Sequence, residues 1–112
     1  MAPPWTTIPD LIDDAADRFA SNEAMVDGDI RWDFVEFRTE IRRAAAALMA
    51  SGVERGDRIA VWAPNCWEWA VAALGVHVAG AIVVPINTRF KGREAAYVIE
   101  SSKARILFTV TD

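Results

Sequence analysis

Apolar positions along this chain change period several times, and each change marks a new element. From Ile8 to Ser21 they recur at helical spacing (Leu11, Ile12, Ala15, Ala16, Phe19), which predicts a first helix. Thr7 stands at its cap position, Pro9 sits in the first turn where its missing N–H costs nothing, and Asp10, Asp13 and Asp14 suit the positive end of the helix dipole. Residues 23–27 and 30–32 then read as short strands around Gly28-Asp29, with Asp27-Gly28 as a tight-turn signal for a β-hairpin. Helical spacing returns at Phe34, Phe37, Ile41, Ala44, Ala45 and Leu48, with Glu36, Glu40, Arg42 and Arg43 largely on the other side. Asp33 and Glu36 have the spacing of a capping box, and Gly52 is placed to end that helix in a left-handed conformation.

Beyond the turn Glu54 to Asp57 the pattern changes character. Arg58 to Ala63 is apolar on both faces, as a strand covered on both sides must be. Pro64 ends it. Asn65 and Glu68 have capping-box spacing for the next helix, which is apolar nearly all round and therefore expected to be buried on more than one side. Gly80 stops that helix, and Ala81 to Val84 is a second buried strand. The loop Pro85 to Gly92 leads to a shorter helix from Arg93 to about Ser101, and Arg105 to Val110 is a third strand. The predicted fold class is α/β. Its core is a partial doubly wound, three-layer parallel sheet of β-α-β-α-β order from Arg58, preceded by a helix, a short β-hairpin and a helix. The chain divides into a lead-in over residues 1–57 and a half sheet over residues 58–112, with no internal domain boundary.

Composition sharpens this. The 112 residues suffice for one core, and 53% of them are apolar before the 6 glycines are counted. That is more than the roughly 45–50% usual with glycine included, so apolar surface is expected to meet a partner. Net charge is −4, which argues against nucleic acid as that partner. Residues 1–36 hold nine carboxylates against Arg18 and Arg31 and carry −7, while the rest carries +3; the acidic stretch reads as a solvated helix face. The single cysteine, Cys66, excludes an internal disulfide. The start lacks a basic segment followed by an apolar one, so no signal peptide is expected. The apolar run from Trp69 to Val76 is too short to span a bilayer. A cytoplasmic location is the default expectation.

Candidate chemistry is sparse. No GxGxxG or P-loop follows a strand, and Pro64 removes an N–H that a phosphate would need after the first core strand. His77, the only histidine, lies late on a buried helix with no carboxylate or cysteine at helical spacing, so it reads as a helix-end histidine rather than a general base. Cys66 lies near a helix start, which favours the thiolate, but a small buried residue is the simpler reading. Trp62, Trp67 and Trp69 either line a pocket or pack the core, and for at least two of them core packing is expected. Arg89, Lys91 and Arg93 precede a helix start, where cations oppose the dipole. They are a solvated loop or a contact for an anionic ligand or a partner carboxylate.

Several of these segments resemble, in order, the opening of the adenylate-forming ligases, the superfamily of AMP-forming acyl-CoA synthetases. Asp33-Phe34-Val35-Glu36-Phe37 stands where the family has T-Y-x-E-L. Gly52-Val53-Glu54-Arg55-Gly56-Asp57-Arg58-Ile59-Ala60 matches G-V-x-x-G-D-x-V-A, and Pro64-Asn65 with Glu68 matches the helix opening that follows. Ala79-Gly80-Ala81-Ile82-Val83-Val84-Pro85-Ile86-Asn87 matches A-G-A-x-x-V-P-x-N, while Glu94 and Ala104-Arg105-Ile106-Leu107 fit the next helix and strand. The likeness runs from about Ile8 to Val110. Trp62-Ala63-Pro64-Asn65 with Trp67 and Trp69 is most similar to bacterial ligases that activate ring-bearing acids from steroid breakdown.

The resemblance implies the N-terminal part of a large adenylation domain and a two-step reaction. A carboxylate attacks ATP, with Mg²⁺ neutralising phosphate charge, to give acyl-adenylate and pyrophosphate; the coenzyme A thiol then displaces AMP. The family's phosphate loop, ribose carboxylate and catalytic lysine match no position here. No catalytic, cofactor-binding or metal-binding residue is therefore assigned, and this segment alone is expected to be inactive and to bind no cofactor. Expected partners are the remainder of such a ligase or a second copy of the chain. The alternative is a free-standing α/β module for interaction or small-ligand binding, without catalysis.

Overall fold

The computed structural model describes residues 5–110. The reading of the first residues as no signal peptide falls partly on residues 1–4, outside the described part. The elements in chain order are α1 (Ile8–Phe19), β1 (Glu23–Asp27), β2 (Ile30–Asp33), α2 (Phe34–Ala50), β3 (Arg58–Trp62), α3 (Trp67–Val78), β4 (Ile82–Pro85), α4 (Gly92–Ser102) and β5 (Ile106–Thr109). Strands β1 and β2 form an antiparallel hairpin. Strands β4, β3 and β5 form a parallel sheet in that spatial order. The α/β class and the β-α-β-α-β half sheet are as the sequence predicts.

Local signals explain most element ends. The Thr7 hydroxyl accepts the Asp10 N–H at 3.2 Å, starting α1. That helix stops at Phe19, two residues short of Ser21, because the Asn22 N–H turns back onto the Phe19 carbonyl. At α2 both halves of the capping box form: the Asp33 carboxylate accepts the Glu36 N–H at 2.8 Å, and Glu36 accepts the Asp33 N–H at 2.9 Å. Helix α2 ends in a Schellman motif, with Gly52 N–H to the Met49 carbonyl and Val53 N–H to the Leu48 carbonyl. Gly52 takes a φ of 89°, a left-handed value that favours glycine. Helix α4 ends in the same pair of hydrogen bonds, but Lys103 holds the left-handed position at φ 58°.

The sheet separates two helical layers. Ile59, Val83, Ile106 and Phe108 face α2 and α3, where Leu48, Val53, Val76 and Ala81 complete one cluster. Ala60, Trp62 and Val84 face α4, with Ala95, Val98 and Ile99. Ile59, Ala60 and Val61 of the central strand are all fully buried, which accounts for its unbroken apolar run. Helices α2 and α3 approach closely at Gly75, where an added Cβ would lie 2.8 Å from the Ala44 Cβ.

The acidic face of α1 is paired as well as solvated. Asp13 lies 2.7 Å from Arg42 and 3.7 Å from Arg38, and Asp17 lies 3.5 Å from Arg38, so α1 is laced to α2. At the far end of the sheet the Arg105 guanidinium, entering β5, donates to Asp57 at 2.9 Å and to the Gly52 carbonyl. The Glu54 N–H and then Arg105 hold the Asp57 carboxyl below its usual range.

Candidate functional site

Strand β3 pairs with β4 on one side and with β5 on the other, so the chain reverses its direction of winding between β4 and β5. In open α/β sheets such a reversal opens a crevice beyond the carboxyl ends of the strands, and ligands favour that place. A crevice of about 410 Å³ lies there. It is lined by Trp62, Ala63 and Pro64 after β3, Thr88 after β4, and Thr109 and Val110 at the end of β5. Sequence reading singled out Trp62 and Pro64 but not Thr88 or Thr109, because no local pattern ties three separate strand ends to one cavity.

Asn87 fixes the crevice wall. Its carbonyl accepts the Trp62 indole N–H at 3.2 Å and the Phe90 N–H at 3.0 Å, while its side chain accepts the Arg89 N–H at 2.9 Å. The side-chain bond to the residue two positions on is an Asx turn. Trp62 is thereby held as an aromatic wall opposite two threonines. Among the described residues no acid, base or thiol lines the space, and what they offer is shape and an aromatic face.

The helix after the crevice loop starts differently from the prediction. Asn65 does not cap α3 and no box with Glu68 forms; Cys66 holds the cap position and its side chain makes no capping bond. Instead the Asp27 carboxylate, from the hairpin, accepts the Trp67 N–H at 2.8 Å. A carboxylate satisfies that positive helix end better than a neutral amide. The Trp32 ring packs edge-on against Trp67 at 5.3 Å and stacks on Phe37 at 6.4 Å, so the hairpin grips α3 through both a charge and a ring.

The remaining candidates scatter. His77 lies in the last turn of α3, half-buried, beside Arg55, Thr7 and Pro9 on a shallow surface. Trp67 is half-buried against Trp32, and Trp69 is half-buried on α3. Arg89 and Lys91 are exposed on the loop after β4, and Arg93 is exposed in the first turn of α4. Glu94 accepts the Lys91 N–H at 2.6 Å, which starts α4 despite the neighbouring cations. Among the described residues, no three His, Cys, Asp or Glu side chains come together as metal ligands. No described helix is long and apolar enough to cross a membrane.

Known proteins share this arrangement. The family described as AMP-binding enzyme matches residues 12–112. A 3-[(3aS,4S,7aS)-7a-methyl-1,5-dioxo-octahydro-1H-inden-4-yl]propanoyl:CoA ligase from Rhodococcus jostii is 45% identical over 102 residues, 91% of this chain and 20% of that protein. The protein of the same name from Mycobacterium tuberculosis is 42% identical over the same coverage. A medium-chain acyl-CoA ligase of mouse mitochondria is 34% identical over 84% of this chain and 16% of its own length. The inhibitor-bound N-terminal domain of FACL13 from Mycobacterium tuberculosis superposes with a TM-score of 0.89 at 27% identity, over 94% of this chain and 27% of that one. The chain spans about a fifth of the length of the curated relatives it matches. Over residues 12–112, it belongs to the AMP-binding enzyme family.

Proposed function

We propose that this chain is the N-terminal part of the adenylation domain of an acid–CoA ligase, organised as the lead-in 1–57 and the half sheet 58–112. The whole ligase joins a carboxylate to ATP, with Mg²⁺, to form an acyl-adenylate, and coenzyme A then displaces AMP. The observation that carries this reading is the 45% identity to a ligase of a ring-bearing propanoic acid. Trp62 opposite Thr88 and Thr109 supports it by providing an aromatic-walled crevice at the sheet's reversal point. Within the ligase the segment acts as scaffold, a reading supported by the lack of any titratable group among the described residues that line the crevice. A cytoplasmic location belongs to this reading.

The test is trapping of acyl-adenylate by hydroxylamine with the ligase polypeptide that carries this segment. The bicyclic indanedione-propanoic acid is expected to react faster than a straight-chain acid of similar size, and the 112-residue chain alone is expected to give no ATP–pyrophosphate exchange. Exchange by the isolated chain would overturn the scaffold reading. Equal rates with both acids would overturn the ring-acid assignment.

A second element of the proposal concerns partners. Strand β5 has no proline or charge along its outer edge, whereas β4 ends in Pro85, which lacks the N–H of a ladder. Leu107 within β5 and Val110 just after it are partly exposed, and Tyr97 is 71% exposed on α4. Isolated copies of the chain therefore self-associate. Sedimentation of a single monomeric species at millimolar concentration would refute this.

A further inference from the structure

Helix α1 is thinly anchored for so apolar a stripe. Ala16 is its one buried residue, whereas α2 buries Ile41, Ala45 and Leu48, and α3 buries Val71, Ala72, Ala73, Gly75 and Val76. Helix α4 also buries one residue, but it is strung between two strands of the sheet. The α1 stripe of Leu11, Ile12 and Ala15 is only half-buried. It borders a half-open groove of about 200 Å³, walled across from it by Phe37, Ile41 and Leu74. Close-packed interiors seldom leave a space of that size, so the stripe forgoes part of the contact that its composition offers.

What ties α1 down is polar and unevenly placed. Asp13 meets Arg42 at 2.7 Å and Arg38 at 3.7 Å, and Asp17 meets Arg38 at 3.5 Å. These four side chains keep between 21% and 75% of their surface in solvent. Ion pairs so exposed contribute little and are screened by salt. The carboxyl end of α1 is pinned more firmly. The Val35 N–H donates to the Ala20 carbonyl at 3.3 Å, the Phe34 N–H donates to the Asn22 carbonyl at 3.1 Å, and the Phe19 and Phe34 rings lie 5.9 Å apart. At the other end Thr7 and Pro9 meet the last turn of α3 only across a shallow surface.

From this combination we propose that α1 is a strap. It opens as a unit about residues 20–22 while α2, α3 and the sheet stay folded, and ionic strength sets how often it opens. Elements with few buried apolar contacts are the ones that open below the global unfolding limit. Opening uncovers the apolar face of Phe37, Ile41 and Leu74, which the closed strap half covers. The inference concerns the α1 layer alone and does not rest on the ligase reading.

The experiment is amide hydrogen exchange by NMR on the full 112-residue chain, where reclosing is faster than exchange. Amides of residues 13–18 are expected to share one protection level, at least about tenfold below that of residues 72–76 in α3. Raising NaCl from about 0.02 M to about 1 M should lower the α1 level roughly two- to tenfold and leave α3 within about twofold. Arg42→Gln removes the shortest pair from the α2 side at near-equal helix propensity. It should lower α1 protection about two- to fivefold at low salt and remove most of the salt response. Protection of α1 equal to that of α3, α1 protection unmoved by salt or by Arg42→Gln, or a matching loss in α3 would each overturn the strap.

Discussion

The tightest test of the packing scheme is a single methyl group at Gly75. Its helical backbone tolerates any residue, so the case for glycine there is steric. A Cβ would lie 2.8 Å from the Ala44 Cβ, 3.3 Å from the Ala45 nitrogen and 3.4 Å from the Ile41 carbonyl oxygen. Carbon atoms rest at about 3.5–4.0 Å, so α3 must move away from α2 by roughly 1 Å or the helices must bend. Overpacking of this kind costs about 1–3 kcal/mol, against which alanine gains about 1 kcal/mol in helix propensity. Gly75→Ala is thus expected to destabilise by roughly 0–2 kcal/mol, and so to be less stable than the Gly92→Ala control. Gly92 provides the control, because a Cβ there meets nothing within 4 Å; Gly92→Ala should be neutral or stabilising by up to about 1 kcal/mol. Urea unfolding followed by tryptophan fluorescence measures both. Ala44→Gly in the Gly75→Ala background removes the closest clash, and the pair should show a favourable coupling of about 1 kcal/mol. If Gly75→Ala is as stable as Gly92→Ala, or shows no coupling to Ala44→Gly, the close approach of α2 and α3 is refuted.

Further substitutions probe the termini and the clamps. Lys103→Gly should stabilise by roughly 0.5–1 kcal/mol, since lysine in the left-handed position at φ 58° carries a steric penalty; a lower urea midpoint would count against the Schellman end of α4. Asp33→Ala removes one half of the capping box and should cost about 1 kcal/mol, read from the same unfolding curves. Asp57 has a depressed carboxyl pKa in the fold, so its contribution is complete above the unfolded value near 3.8 and is lost as pH falls through the lower folded value. Asp57→Asn should accordingly flatten the acid limb of the stability–pH profile below about pH 4, and an unchanged limb would show that Arg105 does not stabilise the charged form. Asp27→Ala should cost about 1–2 kcal/mol and shift the Trp67 amide resonance, whereas Asp27→Asn, which keeps an acceptor, should recover most of the loss. Equal losses in the two variants would mean that Asp27 does not cap α3.

What could be read from the sequence follows the range of the interaction involved. Helix α2 was fully legible because all its signals lie within a turn of its ends: Asp33 and Glu36 at the start, Gly52 at the finish, and an apolar stripe between. The start of α3 was not. Asn65 and Glu68 have the right spacing, but Asp27 lies 40 residues earlier and supplies a charged acceptor, so the local box never forms. The sheet order was legible only as parallel, because nothing local says that β5 returns to pair with β3 rather than with β4. The crevice depends on that return, and so Thr88 and Thr109 carried no signal of their own.

The same long-range bond changes the status of the lead-in. Residues 5–57 contribute no strand to the parallel sheet, yet Asp27 and Trp32 fix the first residue of α3, and α3 begins three residues after Pro64 on the crevice wall. Trp32 also stacks on Phe37, so the hairpin is braced against α2 at the point where it reaches α3. Helix α2 in turn packs on α3 through Gly75 and is tied to the start of β5 by the Gly52 carbonyl and Arg105. The crevice segment after β3 is therefore held by elements outside the sheet, and the loop after β4 is held by Asn87; the Arg105 tie steadies β5 at its opposite end. Proteins that share this arrangement would need to keep the lead-in even where its own residues touch no ligand, because removing it leaves the crevice wall without its outer support.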